Sequence, residues 1–313
     1  MNNNLEPKVG SETENSSLEN KVDNIESPWN MVYKRFRKNK IGMFGFIMLL
    51  IIILLVALAP ILTPYGPNDM DYSNTNKPPS AAHILGTDEL GRDYLTRVLY
   101  GGRVSMKVGV FAVVISVILG AIVGGIAGYY GGWVDNILMR ISEIVMSFPF
   151  LPLAITISSV VGTSVPPEGK MYIVMAIIGL LSWPGLARLI RGQILSLREQ
   201  EFVLAAKAMG IKDRKIIARH LLPNTLGYII VSATLEMASA IMSEAALSYL
   251  GLGVTPPVPT WGNLIQSTKD LYTLKNRAWL WIPPGICIIL AVMSINLFGD
   301  GLRDAIDPKS KVL

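Results

Sequence analysis

In a chain of 313 residues, 51% apolar and 16% charged, there is more apolar surface than one soluble core can enclose, and a bilayer is its natural solvent. The net charge of +5 does not call for nucleic acid, because basic residues at the ends of spanning helices account for the excess. Cys287 is the only cysteine and lies in an apolar run, which excludes an internal disulfide and a cysteine metal cluster.

Residues 1 to 27 are rich in Asn, Ser and Glu without an apolar run, which predicts a disordered tail and no secretory signal. The first spanning helix is expected over 41–62, behind the basic cluster Lys34, Arg35, Arg37, Lys38 and Lys40. A second is expected over 108–133, where Gly120, Gly124 and Gly128 would let another helix approach closely. A third, 144–162, contains Pro149 and Pro152 and should be kinked and buried among neighbours. The fourth, 171–187, should bend at Trp183-Pro184-Gly185; the fifth, 225–250, carries Glu236 and Glu244; the sixth runs over 278–299. Six spans put both termini on one side. Of the Lys and Arg residues, 7 before span one, 1 at Arg140, 8 from Arg188 to Arg219 and 3 after span six then fall on that side, against 9 opposite, which makes it the cytoplasmic side. Uncharged 245–268 holds Pro256, Pro257, Pro259 and several glycines, and is expected to be an outer rim or re-entrant segment.

Between spans four and five the chain reads RGQILSLREQEFVLAAKAMGIKDRKIIARHLLPN, too polar for the membrane and too long for a turn. One helix is expected over Ser196 to Met209, closed by left-handed Gly210, and a second, capped by Asp213, ending before Pro223. Small Ala205 and Ala206 beside Phe202, Val203 and Met209 should form a shallow apolar docking face, starting near Glu201.

At these residues the chain resembles the binding-protein-dependent ABC importers, whose permeases carry an EAA loop: Glu-Ala-Ala, three residues, Gly, nine residues, Ile, any residue, Leu-Pro. Ala205, Ala206, Gly210, Leu222 and Pro223 fall at that spacing, while Leu204 stands where Glu is usual and His220 where Ile is usual. The stretch His83 to Met106, SEAALSYLGLGV from Ser243 and PTWG at Pro259 to Gly262 are similar to the C-type subunit of the oligopeptide, dipeptide and nickel branch of these permeases. The resemblance implies an all-α membrane protein of six transmembrane helices with the type I importer fold and cytoplasmic termini. It divides the chain into a tail at 1–40, a first span at 41–62, an external segment at 63–102, a transmembrane type-1 domain at 103–301 with its coupling loop at 191–224, and a tail at 302–313. It implies that Glu201 to Pro223 couples to the ATPase. It also implies a heterodimer with a related B-type permease, two ABC ATPase subunits that hold the ATP and magnesium, an extracytoplasmic binding protein and an oligopeptide or dipeptide substrate, with nickel-chelate or glutathione uptake left open.

Gly86 to Asp93 holds three carboxylates, whose spacing fits a capped turn opening a helix at Thr87 or Asp88 better than metal ligands, with Arg92 and Asp93 left for surface or subunit pairs. His83 and His220 read as a loop and an interface residue. Glu143 is expected to pair with Arg140; Glu236, deepest by position, is the candidate for the translocation path, and Glu244 for a water-exposed cap or a gate. No GxxxxGK[ST] phosphate loop occurs, so no catalytic site, cofactor or metal is expected in this chain. The competing function is a self-sufficient proton-driven transporter using Glu236 or Glu244, against which stand the absence of an internal repeat and the single large loop.

Overall fold

A computed structural model describes residues 28–162 and 164–307; the expectation of a disordered tail over 1–27 lies outside the described residues. Among the described residues the secondary structure is helical, apart from an isolated bridge between Thr87 and Asp93. Five helices are long and apolar enough to cross a bilayer, and a bent pair supplies a sixth when counted as one span.

An amphipathic helix α1 (Pro28–Lys38) leads into α2 (Lys40–Ala57), which starts where Asn39 Oδ1 accepts from the Gly42 amide at 3.0 Å. The apolar run predicted a helix to residue 62, but α2 stops at Ala57 and one further turn covers Ala59–Leu62. Pro60 has no amide proton and its ring would collide with the carbonyl one turn back.

Helix α3 (Tyr94–Tyr130) starts well before the expected residue 108 and at 37 residues is about 55 Å long, far beyond the ~30 Å hydrocarbon layer. Its start is set by Asp93, which accepts from the Thr96 amide at 2.8 Å and from the Thr96 hydroxyl at 2.7 Å. The expected boundary between an external segment and a transmembrane domain at 102/103 therefore falls inside this helix. The expected helix start at Thr87 or Asp88 is likewise corrected: Asp88 caps a local turn, accepting from the Leu90 and Arg92 amides, and the helix begins after Asp93.

Helices α4 (Gly132–Ser147) and α5 (Phe150–Gly162) meet at Pro149 with an 83° bend, so the expected kink is a full break. Helix α6 (Pro167–Leu197) continues ten residues past the expected end, unbroken through Pro184. It packs along α3, where Gly120, Gly124 and Gly128 meet Leu186, the Ala187 carbonyl and Ile194; a Cβ at Gly124 would strike that carbonyl. The three glycines admit a helix as expected, and that helix is α6.

A short helix α7 (Glu201–Ala208) precedes α8 (Asp213–Leu250). Beyond α8, a turn leads to α9 (Trp261–Ile265) and α10 (Leu271–Asn276), and α11 (Ile282–Ile306) closes the chain against α2, with Gly42 and Gly301 in backbone contact. The tail expected from residue 302 is thus partly helix. Three apolar clusters run along the bundle: one under α9 around Trp261 and Ile295, one midway around Ile178 and Leu247, and one under α7 around Ile194 and Ile216.

Candidate functional site

The α7 end of the bundle presents the loop singled out by its spacing. The single helix expected over Ser196 to Met209 is two: α6 ends at Leu197, and α7 restarts at Glu201 after a turn through Arg198 to Gln200. Gly210 lies at φ +71°, and its amide donates to the Lys207 carbonyl while the Ile211 amide donates to the Ala206 carbonyl, so a left-handed residue closes α7 as expected.

The apolar face expected on this loop is arranged differently from the expectation. Val203 and Ala206 turn inward, 0% and 2% exposed, onto Tyr129, Ile194, Ile216 and Leu221. Phe202, Ala205 and Met209, spaced by three and four, share the outer face, with Leu204 beside them. Ala205 is therefore a surface residue and Ala206 an anchor. Glu201 is exposed at the first turn, Leu222 is half-buried and Pro223 exposed.

The second short helix expected to stop before Pro223 runs on instead into α8 through a π-helical turn, Ile217–Leu221. The wider turn removes the hydrogen bond that Pro223 cannot donate and makes room for its ring, so the helix passes the proline without ending. Asp213 makes no capping hydrogen bond. Its Oδ1 accepts from the Tyr129 hydroxyl at 2.6 Å, and Lys207 Nζ lies 5.0 Å from the centre of the Tyr129 ring. Arg198 Nη1 donates to the carbonyls of Gly128 and Tyr129, and Arg191 holds Asp135 in a two-point contact at 2.5 Å. The loop is thereby tied to the ends of α3 and α4 as well as to the two spans it joins. Tyr129 and Asp135 escaped the sequence reading, because nothing local marks a tyrosine or a first-turn aspartate as a cross-helix partner.

The glutamates of α8 separate. Glu244 has 0% exposed surface, accepts from the hydroxyls of Ser105 at 2.8 Å and Ser248 at 2.7 Å, and so is not a water-exposed cap. Ser105 in turn accepts from the Trp261 amide, and Ser248 from the Val254 amide, which fastens the turn after α8 to α3 and α8. Glu236 is half-buried and lines a recess of about 340 Å³ with Ser182, Gly185, Leu186, Leu189 and Ser232. Glu143 pairs with Arg140 at 3.0 Å on an exposed face, as expected.

At the far end, Arg92 and Asp93 are not left for surface or subunit pairs: Arg92 is 7% and Asp93 5% exposed, Arg92 Nε meets Asp88 at 2.7 Å, and Asp93 meets His83 Nδ1 at 2.9 Å. Among the described residues no group of three His, Cys, Asp or Glu side chains converges on a metal position.

Long apolar helices bound around glycine seams, with a structured polar loop wedged under one end, define a protein that crosses a membrane several times. Residues 116–312 match the family described as the binding-protein-dependent transport system inner membrane component, and 27–79 match the N-terminal transmembrane domain of oligopeptide transport permease C. The chain is 43% identical over 285 residues to the dipeptide transport system permease protein DppC of Alkalihalophilus pseudofirmus, covering 91% of each chain. It is 40% identical over 293 residues to the glutathione transport system permease protein GsiD of Escherichia coli O6:K15:H31, covering 93% of this chain and 94% of the other. The chain belongs to the binding-protein-dependent transport system inner membrane component family.

Proposed function

We propose that this chain forms half of the peptide translocation path of an ATP-driven importer, paired with a related B-type permease subunit, and that α7 docks on an ATPase subunit in the cytoplasm. Two ATPase subunits hold the ATP and magnesium, and an extracytoplasmic binding protein delivers the peptide. The observation that carries the docking reading is α7 itself, with Phe202, Ala205 and Met209 outward and Val203 and Ala206 sunk into the cluster that joins α3, α6 and α8. A load applied to that face reaches three spans through packed side chains, and protein interiors transmit strain because they are densely packed. The excess of Lys and Arg on the α7 side supports placing that side, and both termini, in the cytoplasm. The peptide assignment rests on relatives named as dipeptide and glutathione permeases.

The test is disulfide trapping. In a Cys287→Ser background, Ala205→Cys crosslinks to a cysteine on the co-expressed ATPase, whereas the same change at buried Ala206 does not. An assembled, transporting complex without the Ala205 crosslink overturns the docking reading. Uptake by the purified chain alone, driven by a proton gradient, would instead establish the self-sufficient transporter.

A further inference from the structure

Two carboxylates on one helix have opposite surroundings. Those of Glu244 are complete. Glu236 Oε1 is shielded from water and makes no hydrogen bond; the Ser116 hydroxyl on α3, which approaches that carboxylate, is likewise without a hydrogen bond of normal geometry. No Lys, Arg or His pairs with Glu236 among the described residues, although a carboxylate inside a spanning segment is costly and ordinarily meets a cation, a proton or water.

The recess beside it is built by sequence. Pro184 within α6 leaves the Leu180 carbonyl without its helical donor, and Gly185 next to it supplies no side chain. A Cβ at Gly185 would meet no heavy atom within 4 Å, so the volume beside that backbone is open rather than packed. Leu186 and Leu189 form apolar walls, the Ser182 and Ser232 hydroxyls add acceptors, and Glu236 brings the charge. One carboxylate and two hydroxyls around about 340 Å³ complement a primary ammonium group on a short aliphatic stem.

We propose that this recess is a transient seat for the ammonium group of the transported peptide, its terminal amine or a lysine side chain, with Glu236 as counter-charge. This rests on the reading of the chain as a peptide permease. A single carboxylate in an open recess suits a path, where a ligand must enter and leave again.

Two measurements on the complete reconstituted transporter test it. With trialanine and N-acetyltrialanine as probes, Glu236→Gln lowers ATP-driven uptake of the free amine about tenfold, the loss of one charged contact, and leaves the acetylated peptide within about twofold. In the Cys287→Ser background, Gly185→Cys reacts faster with cationic aminoethyl methanethiosulfonate than with neutral methyl methanethiosulfonate, and adding Glu236→Gln removes about tenfold of that preference. Taking the ratio of the two reagents cancels any change in the thiol's own reactivity. Equal losses for both peptides, or a reagent preference untouched by Glu236→Gln, overturns the proposal. If the wild-type transporter carries neither peptide, the peptide reading fails, and the labelling ratio alone decides whether the recess is a cation seat.

Discussion

The two ends of the bundle differ in where their carboxylates and exposed apolar side chains are placed. At the α9 end, carboxylates are sunk and answered: Glu244 by two serines, Asp88 by Arg92, Asp93 by His83 and the cap of α3. At the α7 end the polar contacts also close, yet Phe202, Leu204 and Met209 remain 43%, 51% and 72% exposed on one short helix. Exposed apolar residues along a span suit lipid or a neighbouring subunit, but those of α7 lie on a polar loop beyond the spans. The α9 end finishes its buried carboxylates with the chain's own side chains, although Ile84, Leu271 and Tyr272 stay exposed there; the α7 end gathers its exposed apolar residues on and beside one short helix.

The largest expected effect attacks the finished end. Glu244→Ala strands the Ser105 and Ser248 hydroxyls and opens a cavity, and should cost about 3 kcal/mol, read as a lower thermal midpoint of the purified complex. Glu236→Ala on the same helix should cost under about 1 kcal/mol, because no hydrogen bond is lost. Equal losses at the two positions would erase the distinction between a structural and an open carboxylate.

At the α7 end, Gly210→Val forces a β-branched residue to φ +71°, at a local cost of about 1–2 kcal/mol. The complex should still assemble while peptide carried per ATP hydrolysed falls severalfold; unchanged stoichiometry would show that the shape of the loop is immaterial. Tyr129→Phe keeps the ring under Lys207 and removes only the hydrogen bond to Asp213, about 1 kcal/mol. Hydrogen exchange over residues 210–216 should quicken with little change in global stability.

The smallest effect is a pH dependence at the finished end. Asp270 caps α10, accepting from the Thr273 hydroxyl at 2.7 Å and from the amides of Thr273 and Tyr272, and these bonds hold its carboxyl below the ordinary value. A depressed value stabilises the folded form above the ordinary pKa, and that contribution is lost as pH falls through the depressed one. The protection factors of residues 271–276, with the intrinsic pH dependence of amide exchange divided out, should therefore be flat from neutral pH down to about 5 and fall only in stronger acid, and Asp270→Asn should remove the dependence.

The membrane class, the order of the spans, the glycine seam on α3 and the left-handed stop at Gly210 could be read from the chain, since hydropathy, spacing and the lack of a Cβ act locally. Helix lengths could not. Hydropathy marks the part of a helix that lies in lipid, whereas α3 continues past it to the Asp93 cap at its start and α6 continues past it to Arg198 at its end. The π-turn before Pro223 was hidden for a similar reason: the proline reads as a terminator unless the helix can widen one turn earlier.

By itself the amino-acid order determined that the chain spans a membrane, where its apolar runs begin, and that a small-residue loop with a glycine stop joins two of them. Only the tertiary structure decided that Ala205 faces out while Ala206 faces in, that Asp213 holds Tyr129 instead of capping its own helix, and that Glu244 is answered while Glu236 is not. Those outcomes depend on which side chains from distant segments arrive at the same place, and a carboxylate's partners lie as far away as residue 105 lies from residue 244.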